Sequence, residues 1–276
     1  MSGPRPPGSQ PLREVLARHG LRPRKALGQH FLLDPAICAR IAACAGDLSG
    51  RHVLEVGPGP GGLTRALLAT PLASLTAIEL DPRAVAALGE IADPRLTVLQ
   101  RDALGFDGAK ALPAPRQVVA NLPYNIGTPL LLGWLRQAGA WERLTLMFQQ
   151  EVAERITAAP GTAAYGRLSV LCQWLCRCRV LMHLPPGAFF PPPAVHSAVV
   201  GLEPRPEQPS APLLAAMERL TAAAFGQRRK MLRASLRPLG AAEALLAAAG
   251  IAGDRRGETL SVEEFATLAR HLAERG

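Results

Sequence analysis

The stretch Val53-Leu54-Glu55-Val56-Gly57-Pro58-Gly59-Pro60-Gly61-Gly62-Leu63 decides the fold of this chain. Its first four residues predict a buried strand of a parallel sheet, because such strands are covered on both faces. Gly57, Gly59 and Gly61 predict a sharp turn that a ligand can approach closely, since glycine carries no Cβ. A helix is predicted from about Leu63, with its N-terminal amides facing the ligand. The stretch therefore predicts a nucleotide-like ligand without saying which one.

The glycine turn by itself leaves three interpretations open. Gly57, Gly59 and Gly62 match the pattern G-x-G-x-x-G, so NAD or FAD is one possible ligand. A methyl donor is the second interpretation, and a purely structural turn is the third. Residues elsewhere in the chain have to decide between them.

Composition restricts the class of protein. Its 276 residues suffice for one large domain and a small one, and 48% hydrophobic residues is too high a content for a disordered chain. No apolar run reaches the roughly 18 residues that a membrane helix needs, so no membrane association is expected. Five cysteines without a paired framework fit a reducing cytoplasm. Cys172, Cys176 and Cys178 lack the spacing of a zinc site, and no metal is expected.

Alternating strands and helices from residue 53 to residue 148 predict the fold class, an α/β Rossmann-like doubly wound sheet. A flexible tail with a short amphipathic segment is expected over 1–23. A catalytic domain is expected over 24–204, followed by a proline-rich linker. A small all-α domain that binds RNA is expected over 212–276.

Two acidic residues follow successive predicted strands, at the edge where ligands bind in such sheets. Glu79 comes 22 residues after Gly57, which suits an acceptor for the ribose hydroxyls of a methyl donor or of NAD. Asp102 follows the next strand and is placed to accept a hydrogen bond from an adenine amine. Each carboxylate would also serve as a helix cap. Together they suit the sulfonium cation of S-adenosylmethionine better than a pyrophosphate.

The tetrapeptide Asn121-Leu122-Pro123-Tyr124 after the fourth strand decides for methyl transfer to an exocyclic amine. The lone pair of such an amine is delocalised into the ring, and two acceptors for its N–H groups would free it. The Asn121 side-chain oxygen and the Leu122 carbonyl are the candidate acceptors, because Pro123 biases Leu122 to an extended conformation. Stacking of a base on the Tyr124 ring is worth about 1–3 kcal/mol. A strand that merely ends in a tight turn is the alternative.

These motifs, in this order, resemble those of the ribosomal RNA adenine dimethylase family. The resemblance extends from about residue 24 to residue 204, and more loosely to the C-terminus. It rests on LGQHFLLD at 27–34, VLEVGPGPGGLT at 53–64, IELD at 78–81, RDAL at 101–104, NLPYNIGTPLL at 121–131, YGRLSVL at 165–171 and PPGAFFPPPAVHSAVV at 185–200.

The resemblance implies transfer of methyl groups from S-adenosylmethionine to N6 of two adjacent adenines near the 3′ end of 16S ribosomal RNA. The expected partner is 16S ribosomal RNA, either free or in the precursor of the small ribosomal subunit, and the enzyme is expected to be a monomer. Family members usually carry Asn where this chain has His30, and a neutral imidazole still donates one hydrogen bond. The implied donor contacts are His30, Leu32, Gly57, Glu79, Asp102 and Asn121. The implied target-adenine site consists of Asn121, Leu122, Tyr124 and Phe189.

Phe189 begins a rigid loop that contains three consecutive prolines. We expect Phe189, rather than the adjacent Phe190, to stack on a flipped adenine opposite Tyr124. A loop anchored by phenylalanine in the core is the alternative.

Two groups of basic residues are expected to contact RNA phosphates, with solvated surfaces as the alternative. The first is an N-terminal arm that contains Arg22, Arg24 and Lys25. The second lies on a helix predicted over 222–237, which carries basic residues on one side. Its expected RNA contacts are Arg228, Arg229, Lys230 and Arg233.

Two other functions stay open. A macrolide-resistance methylase, which acts on 23S RNA of the large subunit, shares the catalytic body. The RRKML stretch at 228–232 and the AFFPPP loop favour a small-subunit enzyme. A non-catalytic assembly or transcription factor on the same fold would have no need of the intact Asn-Leu-Pro-Tyr turn.

Overall fold

The computed structural model describes residues 10–23 and 28–275. The chain forms two compact units. The first contains the residues up to Ala153 together with Arg179–Glu203, and the second contains Glu154–Cys178 and the residues from Pro204 onward. In the described parts of the chain, no helix is both long enough and apolar enough to cross a membrane.

A mixed sheet forms the centre of the first unit and confirms the predicted fold class. The strands within the described residues are β1 (Phe31–Leu32), β2 (His52–Val56), β3 (Ser74–Glu79), β4 (Leu96–Gln100), β5 (Arg116–Asn121), β6 (Arg143–Gln149), β7 (Cys176–Leu184), β8 (Phe189–Phe190) and β9 (Ser197–Pro204). Seven of them form one sheet in the order β4-β3-β2-β5-β6-β9-β7. The first five strands of that order are parallel, and β9 pairs antiparallel with β6. Strands β1 and β8 pair separately.

The helices of the first unit follow the predicted alternation. They are α1 (Leu12–Arg18), α2 (Pro35–Cys44), α3 (Gly62–Leu68), α4 (Pro82–Leu88), α5 (Gly108–Ala111) and α6 (Gly127–Leu135). Asp34 and Asp81 begin α2 and α4 in the same way. Each carboxylate accepts a hydrogen bond from the backbone amide two residues later, and a proline occupies the first helical position.

An apolar layer packs helices against the strands that carry the site. Val53, Leu75 and Val119 come from β2, β3 and β5 and are fully buried. They pack in one cluster with Ile41 of α2 and Leu67 of α3. Burial of each such side chain contributes about 1.5–3 kcal/mol, so the cluster stabilises the packing of α2 and α3 on the sheet.

The second unit is helical. Helix α7 (Gln150–Thr157) leads into α8 (Arg167–Leu175), α9 (Ala211–Gly226), α10 (Leu232–Ser235), α11 (Ala242–Ala248) and α12 (Val262–Ala273). Residues 154–178 fall inside the domain expected over 24–204, but the structure groups them with the C-terminal helices. The aromatic rings explain this grouping, because Tyr165 lies 6.1 Å from Phe225 and Phe225 lies 5.6 Å from Phe265.

The prediction of a single helix over 222–237 is wrong. Helix α9 ends at Gly226, and residues 227–231 form a turn before α10 begins. The Leu232 amide donates to the Arg255 carbonyl at 2.8 Å, a tertiary hydrogen bond that a continuous helix would not allow. Tertiary contacts therefore override the helical pattern, and the basic residues do not share one helical face.

The five cysteines are free thiols. Burial raises the pKa of Cys172 and raises that of Cys176 to about 12, so both stay protonated near neutral pH. Among residues 10–23 and 28–275, no three His, Cys, Asp or Glu side chains are grouped as metal ligands would be.

Candidate active site

One cavity lies at the carboxyl ends of β2, β3, β4 and β5, where ligands bind in sheets of this type. Its wall consists of the residues that follow these strands and of residues 28–32 from the N-terminal segment. It brings together the sequence-selected residues His30, Leu32, Gly57, Glu79, Asp102, Asn121, Leu122 and Tyr124.

The turn after β2 has the conformation that its glycines predict. Gly57, Gly59 and Gly61 have positive φ angles of 69°, 55° and 87°. A Cβ on Gly59 would lie 2.8 Å from the Phe31 ring, which is closer than a real contact allows. The turn thus packs directly against the N-terminal segment, and the two form one wall of the cavity.

Gly62 allows the segment that carries His30 and Leu32 to pack closely against the start of α3. It is the first residue of α3, and a Cβ there would lie 2.5 Å from the Leu32 carbonyl oxygen. The same Cβ would lie 3.1 Å from the Leu12 side chain. Glycine is required here by the close approach of the backbone and not by a positive φ.

Glu79 is a buried carboxylate held in place by the backbone. Its Oε2 accepts a hydrogen bond from the Gly59 amide at 3.1 Å, and its Oε1 accepts from Leu80 and Asp81 at 2.8 and 2.9 Å. Burial raises the pKa of Glu79, and these hydrogen bonds oppose the rise. Since a carboxylate has about four lone-pair positions, Glu79 retains acceptor capacity.

Glu55 is a site residue that the sequence interpretation missed. It lies on β2, lines the cavity and is 1% exposed. Burial raises the pKa of Glu55 to about 8, and the charge of Glu79 adds to the rise. A hydrogen bond of 2.7 Å from the Thr64 hydroxyl lowers the pKa and so opposes this rise. A charged residue inside an otherwise apolar strand was the available signal. A cation bound beside Glu55 and Glu79 would favour the charged forms of both groups.

Asp102 is both a cap and a cavity residue. Its Oδ1 accepts a hydrogen bond from the Leu104 amide at 2.9 Å and begins a short 3₁₀ turn. Its Oδ2 accepts no hydrogen bond from the described residues. Leu80 and Leu104 also line the cavity, and each is 52% exposed. Large exposed apolar side chains beside a cavity indicate ligand contact, and sequence patterns did not single out either of them.

The Asn-Leu-Pro-Tyr turn leaves two oxygen atoms that accept no hydrogen bond from the described residues. Asn121 donates from Nδ2 to the His30 carbonyl at 3.2 Å, which leaves its Oδ1 as a free acceptor. The Leu122 carbonyl accepts no hydrogen bond from residues 10–23 or 28–275. Pro123 lies against the glycine turn. A Cβ on Gly57 would lie only 3.2 Å from the Pro123 ring. The acceptors and the glycine turn therefore line one cavity.

Tyr124 is held on two sides. Its hydroxyl lies 2.6 Å from the Ser197 hydroxyl, and its ring centroid lies 5.3 Å from that of His30. The His30 Nδ1 lies 2.8 Å from the Pro191 carbonyl and must donate there, since a carbonyl only accepts. Burial raises the pKa of Tyr124, so the phenol stays protonated and is not a base at neutral pH. His30 thus connects the triple-proline loop to Tyr124.

The structure does not bring Phe189 into the cavity, contrary to expectation. Phe189 is 4% exposed and packs in the core with Leu32 and Val199, whereas Phe190 is 45% exposed. The pairing of β1 with β8 sets this difference, because it places Leu32 opposite Phe189. Successive strand residues point to opposite faces, so burial of Phe189 turns Phe190 outward.

The basic residues of the second unit are not equivalent. Arg228 donates from Nε to Glu258 at 2.9 Å and from Nη2 to the Ala163 carbonyl at 2.6 Å. It therefore stabilises the unit and is less available to a phosphate than sequence alone indicated. Three other residues selected from sequence are exposed: Arg229, Lys230 and Arg233.

The N-terminal basic arm is described only in part. Arg22 is exposed, and its carbonyl accepts a hydrogen bond from Arg83 at 3.4 Å. Arg24 and Lys25 lie outside the described residues.

Comparison with known proteins gives close relatives over almost the whole chain. The ribosomal RNA small subunit methyltransferase A of Gluconobacter oxydans is 62% identical, over 96% of this chain and 88% of that protein. The protein of the same name from Rhodospirillum rubrum is 56% identical, over 95% of this chain and 92% of that protein.

Solved structures agree on the fold. A dimethyladenosine transferase from Plasmodium falciparum superposes with a TM-score of 0.72 at 24% identity, over 87% of this chain and 96% of that chain. The 23S rRNA methyltransferase ErmE superposes with a TM-score of 0.67 at 29% identity, over 88% of this chain and 99% of that chain. Residues 20–274 match the family described as ribosomal RNA adenine dimethylase. With its glycine turn, acidic edge and Asn-Leu-Pro-Tyr turn, the chain belongs to the ribosomal RNA adenine dimethylase family.

Proposed function

We propose that this protein transfers methyl groups from S-adenosylmethionine to N6 of two adjacent adenosines near the 3′ end of 16S ribosomal RNA. It does so while the small ribosomal subunit is assembled. The observation that carries the proposal is the pair of free acceptors at Asn121 and Leu122, in the same cavity as the glycine turn. The bacterial relatives named as small-subunit methyltransferases support 16S RNA over the 23S RNA of the macrolide-resistance enzymes.

The cavity residues fit S-adenosylmethionine. When bound, this donor supplies an electrophilic methyl group on a sulfonium. Glu55 and Glu79 are buried acidic groups, and a neighbouring cation favours the anionic form of each. Glu79 retains acceptor capacity for ribose hydroxyls, and the free Oδ2 of Asp102 can accept from an adenine amine. Leu80 and Leu104 offer apolar contacts to a ring at the rim.

Asn121 and Leu122 act on the target adenine. The Asn121 Oδ1 and the Leu122 carbonyl accept the two N–H groups of N6. Those hydrogen bonds reduce the delocalisation of the nitrogen lone pair into the ring, so the lone pair is free to attack. The Asn121 amide cannot turn around without losing its hydrogen bond to the His30 carbonyl, which keeps Oδ1 toward the substrate.

Tyr124 holds the base and takes no proton from it. Its ring gives a stacking surface for the adenine, and its phenol stays protonated because burial raises its pKa. Phe189 is assigned to the core, so the exposed Phe190 is the phenylalanine available to a nucleotide. The chain needs no general base before methyl transfer, since the neutral amine is itself the nucleophile.

The proposal includes action in the cytoplasm by a monomer. Small-subunit RNA, the proposed substrate, is a cytoplasmic molecule in bacteria.

Mass spectrometry of ribosomal RNA tests this function. Purified small and large subunits are incubated separately with the protein and isotopically labelled S-adenosylmethionine, and the RNA is digested to nucleosides and short fragments. We expect labelled N6,N6-dimethyladenosine in one fragment near the 3′ end of 16S RNA. Label confined to 23S RNA would contradict the choice of substrate, and no label in either subunit would contradict the activity.

A further inference from the structure

The second unit has a cavity of its own, which shares no lining residue with the methyl-transfer cavity. Its volume is about 540 Å³, within the range of small-molecule sites. An aromatic ring, three guanidinium groups and two carboxylates line it: Trp174, Arg177, Arg205, Arg270, Glu207 and Glu263.

The three arginines differ in how they are held. Arg205 donates from Nε and Nη2 to the Gln173 carbonyl at 3.2 and 3.1 Å, so its guanidinium has a fixed position. Arg177 and Arg270 are exposed, and neither forms an ion pair or side-chain hydrogen bond within residues 10–23 and 28–275. Their donors are therefore available to an anion, and planar guanidinium groups match the geometry of a phosphate.

Trp174 is the most exposed of the three tryptophans of this chain. Trp134 and Trp141 are 7% and 4% exposed, whereas Trp174 is partly exposed at the cavity. Unpaired RNA bases stack on aromatic rings and on arginine planes, and each such stack is worth about 1–3 kcal/mol. A partly exposed tryptophan beside unpaired arginines thus combines the two features that bind a single-stranded nucleotide.

We propose that this cavity binds one unpaired nucleotide of the RNA substrate, with the base on Trp174 and its phosphate held by Arg177 and Arg270. The inference rests on the proposed function, which makes RNA the substrate. Glu207 and Glu263 reduce the net charge of the lining to +1. That balance suits a single phosphate better than a run of duplex backbone, to which two carboxylates would be repulsive.

Intrinsic fluorescence reports on this site directly, because the other two tryptophans are buried. Wild-type protein is titrated with a single-stranded RNA oligonucleotide of mixed sequence, without methyl donor. We expect quenching of the accessible tryptophan emission as the base stacks. In Trp174→Phe the quenching should disappear while the melting temperature stays unchanged, since this ring is not part of the core. Equal quenching of wild type and Trp174→Phe would overturn the proposal.

The phosphate contact is tested by salt dependence. Arg177→Ala with Arg270→Ala should weaken binding and reduce the slope of log K against log salt by about 1. The matched control is Arg179→Ala, an exposed arginine paired with Glu203 at 3.2 Å and outside the cavity, which should leave the slope unchanged. Equal slopes in wild type and the double variant would contradict the assignment.

Methylation of small subunits by the wild-type protein, compared with the quenching of its tryptophan emission by RNA, separates this inference from the proposed function. Active wild-type enzyme with no tryptophan quenching by RNA would reject only the nucleotide site. Quenching at Trp174 without methylation of any RNA would reject the proposed function and leave an RNA-binding site.

Discussion

The Tyr124 hydroxyl and the Ser197 hydroxyl lie 2.6 Å apart and form a hydrogen bond between the Asn-Leu-Pro-Tyr turn and β9. Ser197 is fully buried and pairs with Gln149 of β6, so its position is fixed by the sheet. The ring proposed to stack on the target base is thereby tied to the central sheet of the first unit.

This relationship makes Ser197 a positioning residue for Tyr124. We predict that Ser197→Ala lowers kcat several-fold, since one neutral hydrogen bond contributes about 0.5–1.5 kcal/mol, and that it leaves donor affinity unchanged. Tyr124→Phe removes the same hydrogen bond and retains the ring. In the double variant, the loss should be no larger than in the single variants. Additive losses of kcat would show that the two hydroxyls act separately.

The close packing of the N-terminal segment against Gly62 gives a prediction about donor binding. Gly62→Ala should weaken binding of S-adenosylmethionine at least tenfold, because its Cβ would displace the Leu32 carbonyl and with it His30. Gly133→Ala in α6 is the matched control. Its Cβ meets nothing within 4 Å, and helix propensity should stabilise that variant by up to about 1 kcal/mol. Calorimetric titration measures both affinities, and an undisturbed affinity in Gly62→Ala would refute the close approach.

The two phenylalanines of the loop should respond differently to truncation. Phe189→Ala leaves a cavity in the core and should destabilise the protein by about 3–5 kcal/mol in urea unfolding. Phe190→Ala should change stability by less than about 0.5 kcal/mol, and it should raise the KM for RNA. The reverse pattern would return the base contact to Phe189.

Glu55 predicts a pH dependence of stability in the absence of donor. Burial raises its pKa from 4.5 to about 8, so the folded state keeps a proton that the unfolded state has lost. Its contribution is therefore full below about pH 4.5 and is lost as the pH rises toward 8. Glu55→Gln should lose less stability than wild type across that window. If the melting temperatures of the two proteins changed with pH in the same way, Glu55 would ionise normally, and the prediction would be wrong.

The sequence predicted the parts of the molecule that depend on local pattern. A buried strand before three glycines required the turn, and parallel strands required that Glu79, Asp102 and Asn121 meet at one edge. Pairing between distant segments was not readable in the same way. Nothing local to Phe189 and Phe190 states which of them faces the core, because the pairing of β1 with β8 decides it.

Three other features depended on tertiary structure. The turn at 227–231 interrupts a good helical pattern because α10 bonds to a distant loop. Glu55 lies in an otherwise apolar strand, and only the position of that strand at the cavity makes Glu55 a lining residue. Trp174 and its arginines come from two helices, a strand and a linker, so no single motif joins them.

The central claim is that Asn121 activates the adenine amine, and the single-turnover methylation rate of Asn121→Ala tests it most directly. The rate is measured on small subunits at saturating S-adenosylmethionine, so that weaker donor binding does not enter. Loss of one such transition-state contact should lower the rate by about 10²–10³-fold with the fold intact. A variant that methylates 16S RNA within a few-fold of the wild-type rate would contradict the account.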